Sequence, residues 1–162
     1  ITFFKDFVQD KYEKVVTKCE LASDIKVLTG GDLAEIGEKG INLSGGQKAR
    51  VSIARALYSD TDIYLFDDPI SALDAHVGEK IVNNCILDYL KDKTRILITH
   101  AVQYLHFADS IIVMKNGEIF WEGVYNDLKD QDFYQEYIKN IRKKEKTESD
   151  ENEELYSHDL NK

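Results

Sequence analysis

Leu43-Ser44-Gly45-Gly46-Gln47 is the stretch of this chain whose residue types and spacing could do chemistry on a phosphate. Ser44 suits the N-cap of the helix expected over Gly45 to Tyr58, and Gly45 and Gly46 place no side chain between the backbone amides and an approaching anion. The first turn of such a helix has N–H groups without helical partners and the positive end of the dipole, so its mouth is an anion site. Further along, Ile63-Tyr64-Leu65-Phe66 reads as a strand and ends in Asp67-Asp68. That puts two carboxylates at the carboxyl end of a strand, where open α/β sheets bind ligands. A second apolar run, Arg95 to Thr99, ends in His100, whose imidazole could reach a phosphate oxygen from the sheet edge and donate to developing charge.

The elements that must position these residues follow from periodicity. Lys5 to Glu20 reads as a helix with apolar Phe7, Val8, Val15 and Val16, followed by a turn through Ser23-Asp24 and a loop holding Gly30-Gly31 and Gly37. Gly45 to Tyr58 carries apolar Val51, Ile53, Ala54 and Leu57, the stripe of a helix docked on one face, with basic Lys48, Arg50 and Arg55 suited to a nearby polyphosphate or to solvent. The continuous apolar runs Ile63 to Phe66 and Ile96 to Thr99 have the pattern of strands buried on both faces of a parallel sheet. Helices are expected over Asp74 to Leu90, Ala101 to Ala108 and Tyr125 to Ile141. Asn116-Gly117, between Ile111 to Met114 and Glu118 to Trp121, is a hairpin signal.

In this order the motifs resemble those of the ATP-binding cassette (ABC) ATPases. Leu43 to Gln47 match the signature motif, Tyr64 to Asp68 the Walker B strand, Ser71 to Asp74 the D-loop and His100 the switch histidine. Glu35 to Gly40 and Asp68 to Gly78 look like the first nucleotide-binding domain of the multidrug-resistance-associated, subfamily C, transporters. The resemblance implies an α/β fold: part of a P-loop NTPase-type parallel sheet with part of the ABC helical subdomain. Residues 1–141 would be a partial nucleotide-binding domain, with 1–58 mainly helical subdomain and signature helix, and 59–141 running from Walker B to the C-terminal part. Residues 142–162, beginning Arg142-Lys143-Lys144-Glu145, are too poor in apolar groups to offset their ordering entropy and are expected to be a disordered linker or tail, with Thr147 or Ser149 as candidate phosphorylation sites.

The resemblance also assigns roles. Asp67 would hold Mg2+ through its water shell, Asp68 would stand where hydrolysing sites carry the catalytic Glu, and His100 would contact the γ-phosphate. Leu43, Ser44, Gly45, Gly46 and Gln47 would close over ATP held by a second nucleotide-binding domain in a head-to-tail dimer, and Asp74 would communicate across that interface or cap the helix after it. Glu35 to Gly40 would meet a coupling helix of the transmembrane domains. Asp is one methylene shorter than Glu, about 1.5 Å of reach, and general-base assistance is worth roughly a hundred- to ten-thousand-fold in rate. The site built on Asp67 and Asp68 is therefore expected to bind MgATP and turn over slowly. His76, His106 and His158 have no comparable context.

A P-loop of the form G-x-x-x-x-G-K-[ST] occurs nowhere in the 162 residues, and the chain opens at Ile1, so the piece alone is expected to bind ATP poorly. The net charge of −9 argues against a dedicated nucleic-acid surface, which would need clustered Lys and Arg. Cys19 and Cys85 lack metal-ligand spacing and read as buried or half-buried thiols. Apolar runs such as Ile111 to Met114 are strand-length, far short of a membrane span. The leading expectation is an ATP-driven exporter module on the cytosolic face of a membrane; the alternatives are a soluble ABC ATPase acting on ribosomes or nucleic acid, and a truncated remnant that binds without hydrolysing.

Overall fold

The computed structural model describes residues 1–37 and 42–143. The chain divides into two compact units, one ending at His100 and the other beginning at Ala101.

In the first unit, helix α1 (Gln9–Lys18) buries Val15 and Val16, and a short helix α2 (Ala22–Val27) follows it. The turn expected at Ser23-Asp24 is thus the first turn of a helix. The run from Lys5 starts its helix only at Gln9, with Phe7 and Val8 exposed. The segment before α1 is fixed by a hydroxyl: Tyr58 Oη donates to the Asp6 carbonyl at 2.7 Å and accepts from Val8 N at 2.8 Å. Helix α3 (Gly45–Ser59) is the long element of this unit. Its buried residues Ile53, Ala54, Leu57 and Tyr58 are paired at four-residue spacing, as one docked face requires, and it stops where Asp60 turns left-handed at φ 52°.

Strand β1 (Ile63–Asp67) pairs in parallel with β2 (Thr94–Ile98), with Ile63 opposite Thr94 and Asp67 opposite Ile98. Between them runs helix α4 (Ala75–Ile81), which continues as a π-helix over Val82–Tyr89. Tyr64 and Phe66 are buried on one face of β1, whereas Leu65 on the other is 73% exposed and Ile98 on β2 is 60% exposed. Only one face of the pair is covered among the described residues, which corrects the reading of both apolar runs as buried on two sides. The core under the covered face includes Val15, Cys19, Leu57, Ile81, Val82, Cys85 and Leu90.

In the second unit a 3-10 helix (Val102–Phe107) precedes the antiparallel hairpin of β3 (Ile111–Lys115) and β4 (Glu118–Gly123). Asn116 and Gly117 both take positive φ, 52° and 82°, as the two-residue turn that matches strand twist demands. Helix α5 (Tyr125–Leu128) ends after one turn, and a further helix, α6, occupies 132–143. The single helix expected from Tyr125 to Ile141 is therefore broken at 129–131, where the Gln131 carbonyl accepts from Tyr134 N and Gln135 N and so starts α6. Ile111, Leu128 and Tyr134 form the core of this unit, with Val113, Trp121 and Phe133 packed around it.

Candidate functional site

The mouth of α3 is built by reciprocal hydrogen bonds. Ser44, in extended backbone at φ −67° and ψ 164°, accepts at Oγ from Gln47 N at 3.2 Å, and Gln47 Oε1 accepts from Ser44 N at 2.9 Å. This is a capping box, in which the first and fourth residues of the turn satisfy each other's backbone donors. Because Ser44 Oγ acts as acceptor within the box, its hydroxyl hydrogen remains to be donated outward. The first-turn N–H groups of Gly45 and Gly46 have no acceptor further back along the helix. Ser44 and Gly45 are exposed, and Leu43, Gly46 and Gln47 half-buried. An outward hydroxyl, two small-residue amides and a helix N-terminus are a donor set that fits a phosphate.

Gly46 has a second reason to be glycine. A Cβ there would stand 3.2 Å from the Ala72 carbonyl oxygen and 3.5 Å from Leu73 Cδ2. The loop Ser71-Ala72-Leu73-Asp74 is thereby packed directly on the start of α3, bringing together two motifs separated by more than twenty positions in the sequence.

That loop is in turn fastened to the end of β1. Asp68 has φ 43°, the left-handed region that Asp tolerates better than most residues. Its N–H donates to the Ile98 carbonyl at 2.8 Å, and its own carbonyl accepts from Ser71 Oγ at 2.9 Å. Asp74 ends the loop as the N-cap of α4, its Oδ1 accepting from Val77 N at 3.0 Å. Parallel pairing in register sets Asp67 opposite Ile98, so Asp67, Asp68 and His100 all issue from the carboxyl edge of the same two-stranded sheet. Asp67 and His100 are exposed there. A cleft of about 350 Å³ lies between α3 and this edge, lined by Ser52, Ile53, Phe66, Asp67, Asp68 and Ser71 among others.

A hard, exposed carboxylate at a strand end fits a magnesium ion that keeps most of its waters, the usual state of that ion beside nucleotides. Among the described residues no group of three or more His, Cys, Asp or Glu could form an all-protein metal cage.

Of the basic residues on α3, Arg50 faces inward. Its Nη2 lies 2.7 Å from Asp24 Oδ2 and its Nη1 donates to the Glu20 carbonyl at 3.0 Å. Asp24 Oδ1 accepts from Gln47 Nε2 at 3.0 Å. Asp24 carries no functional signal in the sequence, because a carboxylate in an expected turn means little until that turn proves to be the first turn of a helix facing α3. The loop expected at Glu35 to Gly40 falls in part on residues 38–41, which lie outside the described residues, as do 144–162 with Thr147, Ser149 and His158.

Residues 8–71 match the family model described as ABC transporter. The chain belongs to the ABC transporter family. It is 60% identical over 131 residues to ABC transporter C family member 8 of Dictyostelium discoideum, an alignment covering 79% of this chain and 8% of that protein. ATP-binding cassette sub-family C member 2 of Mus musculus is 51% identical over 133 residues, 81% of this chain and 9% of the relative. Multidrug resistance protein mrp-7 of Caenorhabditis elegans is 51% identical over 144 residues, 85% of this chain and 9% of the relative. This ABC transporter chain thus spans about a tenth or less of the length of these C-family relatives. The match crosses the capping box of α3, strand β1 and the loop to Ser71, the same stretch that the fold gathers around Gly46 and Asp68.

Proposed function

We propose that this chain is part of the first nucleotide-binding domain of a subfamily C exporter, in which ATP binding and hydrolysis are coupled to the transmembrane movement of a solute. The observation that carries this reading is the capping box of α3, which leaves the Ser44 hydroxyl hydrogen and the Gly45 and Gly46 amides outward-facing. Beside it, the Asp67, Asp68 and His100 edge is tied to the same loop structure through Ala72 and Ser71.

The two halves serve different nucleotides. Ser44, Gly45 and Gly46 donate to ATP held by a second nucleotide-binding domain packed head to tail, with Leu43 and Gln47 shaping the loop that closes over it and Asp74 fixing the D-loop at that interface. Asp67 would hold the Mg2+ of this domain's own nucleotide, His100 would donate to the γ-phosphate, and Asp68 stands at the general-base position. ATP supplies the phosphoryl group and Mg2+ neutralises its charge. The chain's own residues orient the phosphates and, at Asp68, hold a carboxylate too short and too tightly pinned for efficient proton removal from the attacking water. The two sites are therefore unequal, and this chain's Walker B site is the slow one. Membrane attachment comes through transmembrane domains of the same transporter, with this domain on the cytosolic face.

In the full-length transporter, Ser44→Ala is expected to cut ATP turnover about a hundred-fold, the scale of losing one transition-state donor. Steady-state hydrolysis of purified, reconstituted protein checks it. Turnover within about twofold of the parent, a difference worth less than half a kcal/mol, would remove the nucleotide role of the α3 mouth.

A further inference from the structure

We infer that Asp24 is a positioning residue for the signature loop, acting through the side chain of Gln47. This rests on the reading of Ser44 to Gln47 as a nucleotide-contacting loop and extends it to a residue on a different helix.

The contacts form a single chain from α2 to the loop. Asp24 Oδ1 accepts from Gln47 Nε2 at 3.0 Å, which fixes the amide so that Oε1 faces Ser44 N at 2.9 Å. That bond, together with Gln47 N to Ser44 Oγ, sets the rotamer of Ser44 and thus the direction in which its hydroxyl donates. Asp24 is held in place from the other side: Oδ2 lies 2.7 Å from Arg50 Nη2 as an ion pair rather than a well-angled hydrogen bond, and Arg50 Nη1 is anchored on the carbonyl of Glu20, a residue in the left-handed region at φ 54°. The side chains of Asp24 and Arg50 are only 16% and 13% exposed, so water competes poorly for either. With Asp24 absent, the Gln47 amide loses one of the two partners that hold it, and the Ser44 N–H alone is left to keep Oε1 in the capping box, so the side chain can swing away and release the Ser44 rotamer.

An ordinary stabilising ion pair between α2 and α3 would lower the melting temperature without any special route through Gln47. A double-mutant cycle separates the two. In the full-length transporter, Asp24→Ala is expected to lower kcat at saturating ATP about tenfold, well short of the loss of a direct donor. In a Gln47→Ala background the same substitution is expected to change kcat by less than about twofold, while lowering the unfolding midpoint in both backgrounds. If Asp24→Ala does not accumulate, Asp24→Asn replaces it in the same cycle. That side chain keeps the volume but offers one acceptor oxygen for two donors, and the same cancellation in the Gln47→Ala background is expected.

Equal fold-losses in the two backgrounds, or an Asp24 variant with undiminished kcat, overturn the inference. Ser44→Ala, measured alongside, distinguishes the causes. If Ser44→Ala loses turnover about a hundred-fold while Asp24→Ala keeps the parent kcat, only the positioning role of Asp24 falls. If Ser44→Ala is fully active, the nucleotide role of the loop falls and the Asp24 inference with it.

Discussion

In the function we propose, Asp68 sets a rate by its residue type. Its backbone is pinned by the Ile98 carbonyl and by Ser71, in a left-handed conformation, so the carboxylate cannot gain reach by shifting the main chain. Asp68→Glu in the full transporter is expected to raise hydrolysis at this domain's own site about tenfold or more, part of the range general-base help spans. Single-turnover assays with the partner site disabled would check it. Gly46 carries a different expectation. Alanine there gains helix propensity of about 1 kcal/mol but presses on the Ala72 carbonyl. Turnover of Gly46→Ala should therefore fall while its unfolding midpoint stays close to the parent's. Much of this was legible in the sequence: Ser44 as cap, Asp74 as cap and the strand end at Asp67 are local features that residue type and spacing declare. The packing role of Gly46 against Ala72 and the role of Asp24 were not, because each depends on a contact made by a residue more than twenty positions away.

At the scale of elements, α3 and the helix beginning at α4 are held by a core in which Cys19 and Cys85 are fully buried with sulfurs 3.7 Å apart. The hydrogen bond with Cys85, then burial, pushes the Cys19 thiol far above the ordinary cysteine range. A thiol held protonated in the fold contributes stability that is complete below the ordinary cysteine pKa and is lost as pH rises above it, where the unfolded chain ionises and the folded one does not. Both thiols should resist iodoacetamide at pH 8 in the native protein and label fully in guanidinium, which mass spectrometry would read directly. The parallel pairing and the Asn116-Gly117 hairpin followed from pattern alone. The burial of β1 and β2 did not, since a continuous apolar run carries no information about how many layers cover it. Leu65 and Ile98 accordingly face outward among the described residues.

In the function we propose, the molecule contributes half of each of two nucleotide sites. The mouth of α3 packs on the loop at Ala72, which is fastened to the edge ending in Asp67 and Asp68, and in that proposed function the two serve separate nucleotides. No helix among the described residues is long and apolar enough to cross a membrane, and the coupling to transport that we propose depends on transmembrane domains of the same protein. In the function we propose, the substrate is selected there rather than at the α3 mouth or the carboxylate edge. The most direct test is vanadate trapping of a photoreactive ATP analogue in the full transporter carrying Ser44→Ala, followed by limited proteolysis to locate the label. Loss of trapped label from the other nucleotide-binding domain, with binding to the domain that contains Ser44 retained, is the expected result. Loss confined to the domain that contains Ser44, with trapping in the other intact, would contradict it.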